Sequence, residues 1–160
     1  AYFEKYKNIW HHGDFAKVTN DGGFVIFGRS DTTLNPGGVR LGTSEIYSVV
    51  EKFKEIQESI VIGQSWKNDI RIILFVVLNK GYTLSEEIKS KIKIKIRFNA
   101  SPRHVPAKII PVLEIPKTKN GKLVELAVKQ TIEGEKIKNL DALANPDSLK
   151  QFKNIKELDE

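Results

Sequence analysis

The chain has 160 residues, 40% of them hydrophobic and 29% charged, with a net charge of +6, which is the scale and balance of roughly one folded domain. Disorder throughout is excluded. The absence of cysteine excludes a disulfide scaffold, a zinc–thiolate site and a cysteine nucleophile, and no apolar run approaches the ~18 residues of a membrane span, so a cytoplasmic location is expected. The basic residues are mixed with acidic ones and show no interleaved stacking aromatics, which favours a small polyanionic ligand such as a nucleotide or CoA over nucleic acid.

In chain order, strand-like segments 15–19 and 24–27 flank Asn20-Asp21-Gly22-Gly23, a hairpin signal. A lone hairpin is marginal in water, so its apolar face expects a partner. After a polar joint at Gly28-Arg29-Ser30-Asp31 and the loop Asn35-Pro36-Gly37-Gly38, a helix is expected from Thr43 or Ser44, either of which can cap it. Ile46, Val49, Val50 and Phe53 form its core-facing stripe. Segments 58–63 and 69–79 read as strands, the second so apolar that both faces must be covered. Residues 83–98 read as a helix with a capping box of Thr83 and Glu86, burying Ile88, Ile92 and Ile96 and aligning Lys89, Lys93 and Arg97 in one row. Ser101-Pro102 ends it. A short strand at 108–113 and a polar loop at 116–122 follow. Next comes a helix at 123–132, stopped near Gly134. Asp147 can cap a last short helix that turns Leu149, Phe152 and Ile155 inward. Trp10 and Trp66 read as packing residues, and adjacent His11 and His12 point apart. Strands and helices mix without regular alternation, which predicts an α+β fold.

Three clusters have chemistry to offer. His12-Gly13-Asp14 with Gly28-Arg29-Ser30-Asp31 places a carboxylate and a guanidinium where they can hold a ribose and a phosphate. Read alone, they are more often a turn aspartate and a surface arginine, since Gly-Asp and Gly-Arg pairs are common in turns. Residues 35–43 combine glycines, which allow close backbone approach, with Arg40 just ahead of a helix N-terminus; a simple tight loop fits as well. Pro116-Lys117-Thr118-Lys119-Asn120-Gly121-Lys122 projects Lys122 from a sharp turn, a flexible point charge for a phosphate or oxyanion, or an exposed basic turn. It lacks the upstream glycine and the following Ser or Thr of a P-loop.

In this order and at these separations the clusters resemble the C-terminal end of the AMP-forming acyl-CoA synthetases, the adenylate-forming superfamily. Gly13-Asp14 resembles its ribose motif and Gly28-Arg29-Ser30-Asp31 its hinge motif. Residues 38–45 resemble Gly-x-Arg-x-Gly-x-x-Glu, and 116–122 resemble Pro-Lys-Thr-x-x-Gly-Lys. Segments 10–15, 33–40, 102–106 and above all the tail 139–149 are similar to the branch that activates acetoacetate.

The resemblance implies a ligase that uses ATP, carried as its Mg2+ complex, to activate acetoacetate as an acyl-adenylate, and then transfers the acyl group to CoA. It assigns the ribose and phosphates of ATP/AMP to Asp14, Arg29 and Arg40, and the hinge to Asp31. Adenylation chemistry falls to Lys122, and CoA contacts to Gly38 and Arg97. His12 departs from the usual Thr, and Pro36-Gly37 from the usual residues before Gly38. The superfamily's phosphate loop, adenine pocket and acid pocket belong to a large N-terminal domain that these residues do not contain. The chain is thus expected to be a fragment whose partner is that domain of its own parent, and nearly inactive alone. Residues 1–30 would finish the large domain, 31–134 would form a lid with a mixed sheet and flanking helices, and 135–160 would be a tail with a short helix.

Overall fold

The computed structural model describes residues 3, 6–30, 32–137 and 139–159, with backbone only at 27 and 28. Strands β1 (Asp14–Val18) and β2 (Phe24–Arg29) pair antiparallel, as the Asn-Asp-Gly-Gly signal predicts, with a bulge opposite the Phe15–Ala16 step. The hairpin leaves Val18, Phe24 and Ile26 exposed. Trp10 is also exposed, at 62%, and meets His12 edge-on rather than packing into a core, while His11 meets Tyr6.

The rest is built on a three-stranded sheet of order β3 (Ile56–Trp66), β4 (Asp69–Leu78), β5 (Lys108–Pro111). β3 and β4 run antiparallel and β5 runs parallel to β4, so the sheet is mixed. A parallel neighbour needs a crossover, and helix α2 (Glu86–Asn99) supplies it. β3 extends beyond the expected 58–63. Lys67 and Asn68 both take positive φ (48° and 64°), the geometry of a two-residue turn matching strand twist, so pairing continues to Trp66↔Asp69. Asn tolerates that conformation; Lys gives no advance sign of it.

Period-two alternation divides the sheet's side chains between two cores. Ile72, Leu74 and Val76 of β4, Val61 of β3 and Ile109 of β5 face helix α1 (Thr43–Val50) and α2, packing on Ile46, Val49, Val50, Ile92 and Ile96. Ile73, Phe75, Ile60, Ile62 and Ile110 face the other way, onto helix α3 (Glu125–Ile132) and the tail residues Leu143, Leu149, Phe152 and Leu158. Phe75 and Phe152 meet edge to face, their centroids 5.0 Å apart.

Three caps differ from expectation. α1 follows Gly42 with no side-chain cap, so neither Thr43 nor Ser44 serves. α2 is capped by Ser85, which accepts from the Ile88 amide at 3.3 Å; Ser85 stands three residues before Ile88, so its oxygen reaches the first turn from the helix boundary, whereas Thr83 lies two residues further back. The last helical segment, Pro146–Phe152, is a 3-10 helix entered from Asn145. Asp147 lies inside its first turn, bonded to Lys150 at 2.7 Å, and does not cap it.

One hydroxyl ties the layers together. Tyr47 on α1 donates to Glu125 Oε1 of α3 (2.5 Å) and accepts from the Val61 amide of β3 (3.0 Å). Burial, then the Glu125 charge, push its phenol well above the ordinary value, because both disfavour phenolate. Since the folded value is raised, Tyr47's contribution is complete below the unfolded phenol's value of roughly 10 and fades as pH climbs from there through the folded value. Tyr47→Phe should cost about 1–3 kcal/mol in urea unfolding at pH 7 by orphaning the Val61 amide, and should remove that alkaline loss of stability.

Candidate functional site

The hairpin register places Asp14 directly opposite Arg29, so the Gly-Asp and Gly-Arg elements share one end of the two-stranded ribbon. The Ser30 amide donates to the Gly13 carbonyl at 2.7 Å and closes that end. Asp14 is partly buried and its Oδ2 is bonded to His12 Nδ1, so the histidine that departs from the family pattern is a direct partner of the ribose-motif carboxylate. A carboxylate in this corner can accept from sugar hydroxyls, with the Arg29 guanidinium near Gly13 on the same ribbon end. Asp31, the expected hinge, lies outside the described residues. The Thr33 hydroxyl donates to the Arg29 carbonyl at 2.5 Å.

The second element is a tight loop. Pro36–Gly38 forms one 3-10 turn, and the Leu34–Leu41 bridge closes the loop at its base over the buried Leu34. Gly38 has φ +76° and nothing within 4 Å of where a Cβ would stand, so backbone conformation, not crowding, calls for glycine. The Gly37 amide donates to both Asp69 oxygens (2.8 and 3.1 Å), anchoring the loop on the β3–β4 turn. Hydrogen bonds from the Ile70 and Gly37 amides hold the Asp69 carboxyl below its ordinary range, so the anchor stays charged well into acid. The Arg40 guanidinium lies 4.5 Å from the Phe15 ring centroid, a cation–π contact between this loop and the hairpin. Glu45, which ends the 38–45 element, meets buried His104 at Nε2, and Ser101 Oγ lies 2.8 Å from His104 Nδ1.

The third element presents Lys122. The Thr118 amide donates to the Lys122 carbonyl (2.9 Å), the Thr118 hydroxyl accepts from the Lys122 amide (3.1 Å), and the Gly121 amide donates to the Thr118 carbonyl (2.8 Å). Gly121 takes φ +75°, as the Asn-Gly turn demands. The Lys122 backbone is therefore pinned from both of its polar groups while its side chain is exposed. Neighbouring Lys117 is anchored differently, its ammonium 2.6 Å from Glu58 Oε1.

The fold gathers some of these residues and not others. Arg29, Thr32, Thr118, Leu123, Glu125 and Asn139 wall one cavity of about 280 Å³, which brings the hairpin end and the residues flanking Lys122 onto one space. Gly38 lines a separate polar recess with Trp66 and Asp69, and Arg40 another with Phe15 and Thr33. Arg97 is exposed in the last turn of α2. Of its row, Lys89 is paired with Glu86 (2.8 Å) and Lys93 reaches the Ala107 carbonyl (3.3 Å). Among the described residues no group of three His, Asp or Glu side chains is placed to hold a metal ion, and no helix is long and apolar enough to cross a membrane. Sequence reasoning missed Asp69, Phe15 and His104 as partners of these loops, because each lies far along the chain from the residue it serves.

Residues 45–122 match the AMP-binding enzyme C-terminal domain. The chain is 56% identical over 158 residues to the acetoacetyl-coenzyme A synthetase of Rhizobium meliloti (strain 1021), and 47% identical over 160 residues to the acetoacetyl-CoA synthetase of Xenopus tropicalis. In each case the match takes in 99% of this chain and 24% of the relative. The solved structure of acetoacetyl-CoA synthetase from Streptomyces lividans superposes with a TM-score of 0.86 at 40% identity, over 99% of this chain and 24% of that one. The chain thus spans about a quarter of the length of the relatives it matches. Residues 45–122 thus match the AMP-binding enzyme C-terminal domain, within a chain that over its whole length is similar to about a quarter of each of these synthetases.

Proposed function

We propose that the chain is the C-terminal part of a ligase that joins acetoacetate to CoA at the expense of ATP. In this reading residues 1–30 complete a large nucleotide-binding domain, 31–134 form a lid that turns about Asp31, and 135–160 are a tail. The observation that carries the reading is the shared cavity. Arg29, strand partner of Asp14, and the residues flanking Lys122 face one space although the two motifs stand far apart in the chain. Similarity that runs through the 139–149 tail to proteins named for acetoacetate supports that acid as the substrate.

The chemistry has two displacements. A carboxylate oxygen of acetoacetate forms a bond to the α-phosphorus of ATP, and the α–β phosphoanhydride bond breaks to release pyrophosphate. The CoA thiolate then bonds to the acyl carbon, and the mixed-anhydride oxygen leaves with AMP. Asp14 accepts from the ribose hydroxyls, while Arg29 and Arg40 balance phosphate charge. Lys122 sets its ammonium against the charge that builds between carboxylate and α-phosphate. Gly38 and Arg97 serve the second displacement, Gly38 by letting the pantetheine arm pass close to backbone and Arg97 through the CoA nucleotide. Magnesium would arrive on ATP, and no residue of this chain is assigned to hold it. Two states of one lid can supply these two sets of groups in turn. The same reading places the enzyme in the cytoplasm.

The direct test is AMP release by the full-length enzyme with ATP and CoA, comparing acetoacetate with acetate, propionate and 3-hydroxybutyrate. CoA-dependent turnover that favours acetoacetate is expected, and preference for another acid would sink the substrate assignment. Lys122→Ala should slow pyrophosphate release on the order of 10²–10³-fold while CoA consumption from supplied acetoacetyl-AMP stays near wild type. Equal loss of both half-reactions would contradict that division. Gly38→Ala should do the reverse, slowing CoA consumption from supplied adenylate more than adenylation.

A further inference from the structure

The tail 139–149 marks the branch by sequence yet contains none of the motifs assigned a role above. Its position gives it one. Residues 117–119 are bridged on one side by Leu123, across the Lys122 turn, and on the other by Leu143 of the tail. The Lys119 amide donates to the Ala142 carbonyl (3.0 Å) and the Ala144 amide to the Lys117 carbonyl (2.8 Å), so the tail is a third ply against the loop. Leu143 is 6% exposed and seated in the second core with Leu149 and Phe152, which fixes this ply to the body of the domain.

The junction is made by one side chain. Asn145 Oδ1 accepts from the Lys117 amide (2.9 Å) and Asn145 Nδ2 donates to the Ile115 carbonyl (3.1 Å). Ile115 is fully buried and Pro116 is buried beside it. These two bonds therefore fasten the entry of the Lys122 loop to the tail from both polar ends of one amide. Only Asn or Gln offers acceptor and donor together in that way, and Gln is longer by one methylene.

We propose that Asn145 is a positioning residue for Lys122. Through the 142–145 ply it fixes the height and direction of the loop that presents the ammonium, and so acts on adenylate formation without touching substrate. This rests on the role given to Lys122 above. A displacement near 1 Å of a catalytic group can cost about 10²-fold, whereas a loop that stays folded but loosened still binds ATP.

The test uses the full-length enzyme, with pyrophosphate release measured without CoA and CoA consumption measured from supplied acetoacetyl-AMP. In Asn145→Ala, kcat for pyrophosphate release should fall about tenfold to a hundredfold, with KM for ATP changed less than about twofold and the second half-reaction retained. Asn145→Asp keeps the acceptor for Lys117 but sets a carboxylate oxygen against the Ile115 carbonyl, so pyrophosphate release should fall at least as far as in Asn145→Ala. Asp147→Ala, on the same tail but exposed and paired with Lys150, should match wild type. Wild-type adenylation in Asn145→Ala, with Lys122→Ala defective, would overturn the proposal and leave the Lys122 role standing. Parallel loss of both half-reactions would overturn it in favour of a merely structural asparagine. Normal adenylation in Lys122→Ala would overturn both readings together.

Discussion

The middle of strand β4, residues 72–76, has no side that water can occupy. Ile72, Leu74 and Val76 point to one face, Ile73 and Phe75 to the other, and all five are 3% exposed or less. A strand of this kind is stable only between two apolar layers, each fully buried side chain gaining about 1.5–3 kcal/mol over exposure. The rest of the architecture answers that demand. Helices α1 and α2 close one face; α3 alone is too short to close the other, and the tail completes it with Leu143, Leu149, Phe152 and Leu158. Arg71 adds a rivet at the far end, stacking 3.7 Å over Trp66, donating to Gln64 (2.8 Å) and bonding the Leu158 carbonyl.

The functional loops are suspended from this frame at points of high constraint. Gly37 hangs from Asp69 at the β3–β4 turn, the first turn of α1 is tied through Glu45 to His104, buried in the 102–104 turn, and the Lys122 loop hangs from the tail. Each loop tip is exposed and polar, while each anchor is a hydrogen bond to an element of the sheet or its cover. That division lets a charged group be held without burying it, avoiding the desolvation that a buried lysine or arginine would face.

Much of the frame was legible because it is written in periodicity. The stripe Ile46, Val49, Val50, Phe53 and the apolar run at 69–79 each have one good solution, and the glycine pair after Asn20-Asp21 names its own turn. Where the reading failed, two local solutions competed or the partner was remote. Thr83 and Ser85 both precede a plausible first turn, and only the chain's path into α2 decides for Ser85. Lys67 carries no sign that it will take positive φ, so the length of β3 was hidden. The candidate residues were singled out by their resemblance to family motifs, but their supports were not. Asn145 and Lys117, or Glu45 and His104, meet only after the sheet has formed, and no local pattern couples them.

The plied arrangement of tail and Lys122 loop carries a thermodynamic obligation. If the tail narrows the loop's conformations toward the one that grips an anion, then by reciprocity an anion gripped there must strengthen the tail's attachment by the same free energy. Occupancy at the loop would in that case reach Leu143 and Phe152 in the second core, and hydrogen exchange at the Ala144 amide would be a remote gauge of whether the loop is filled.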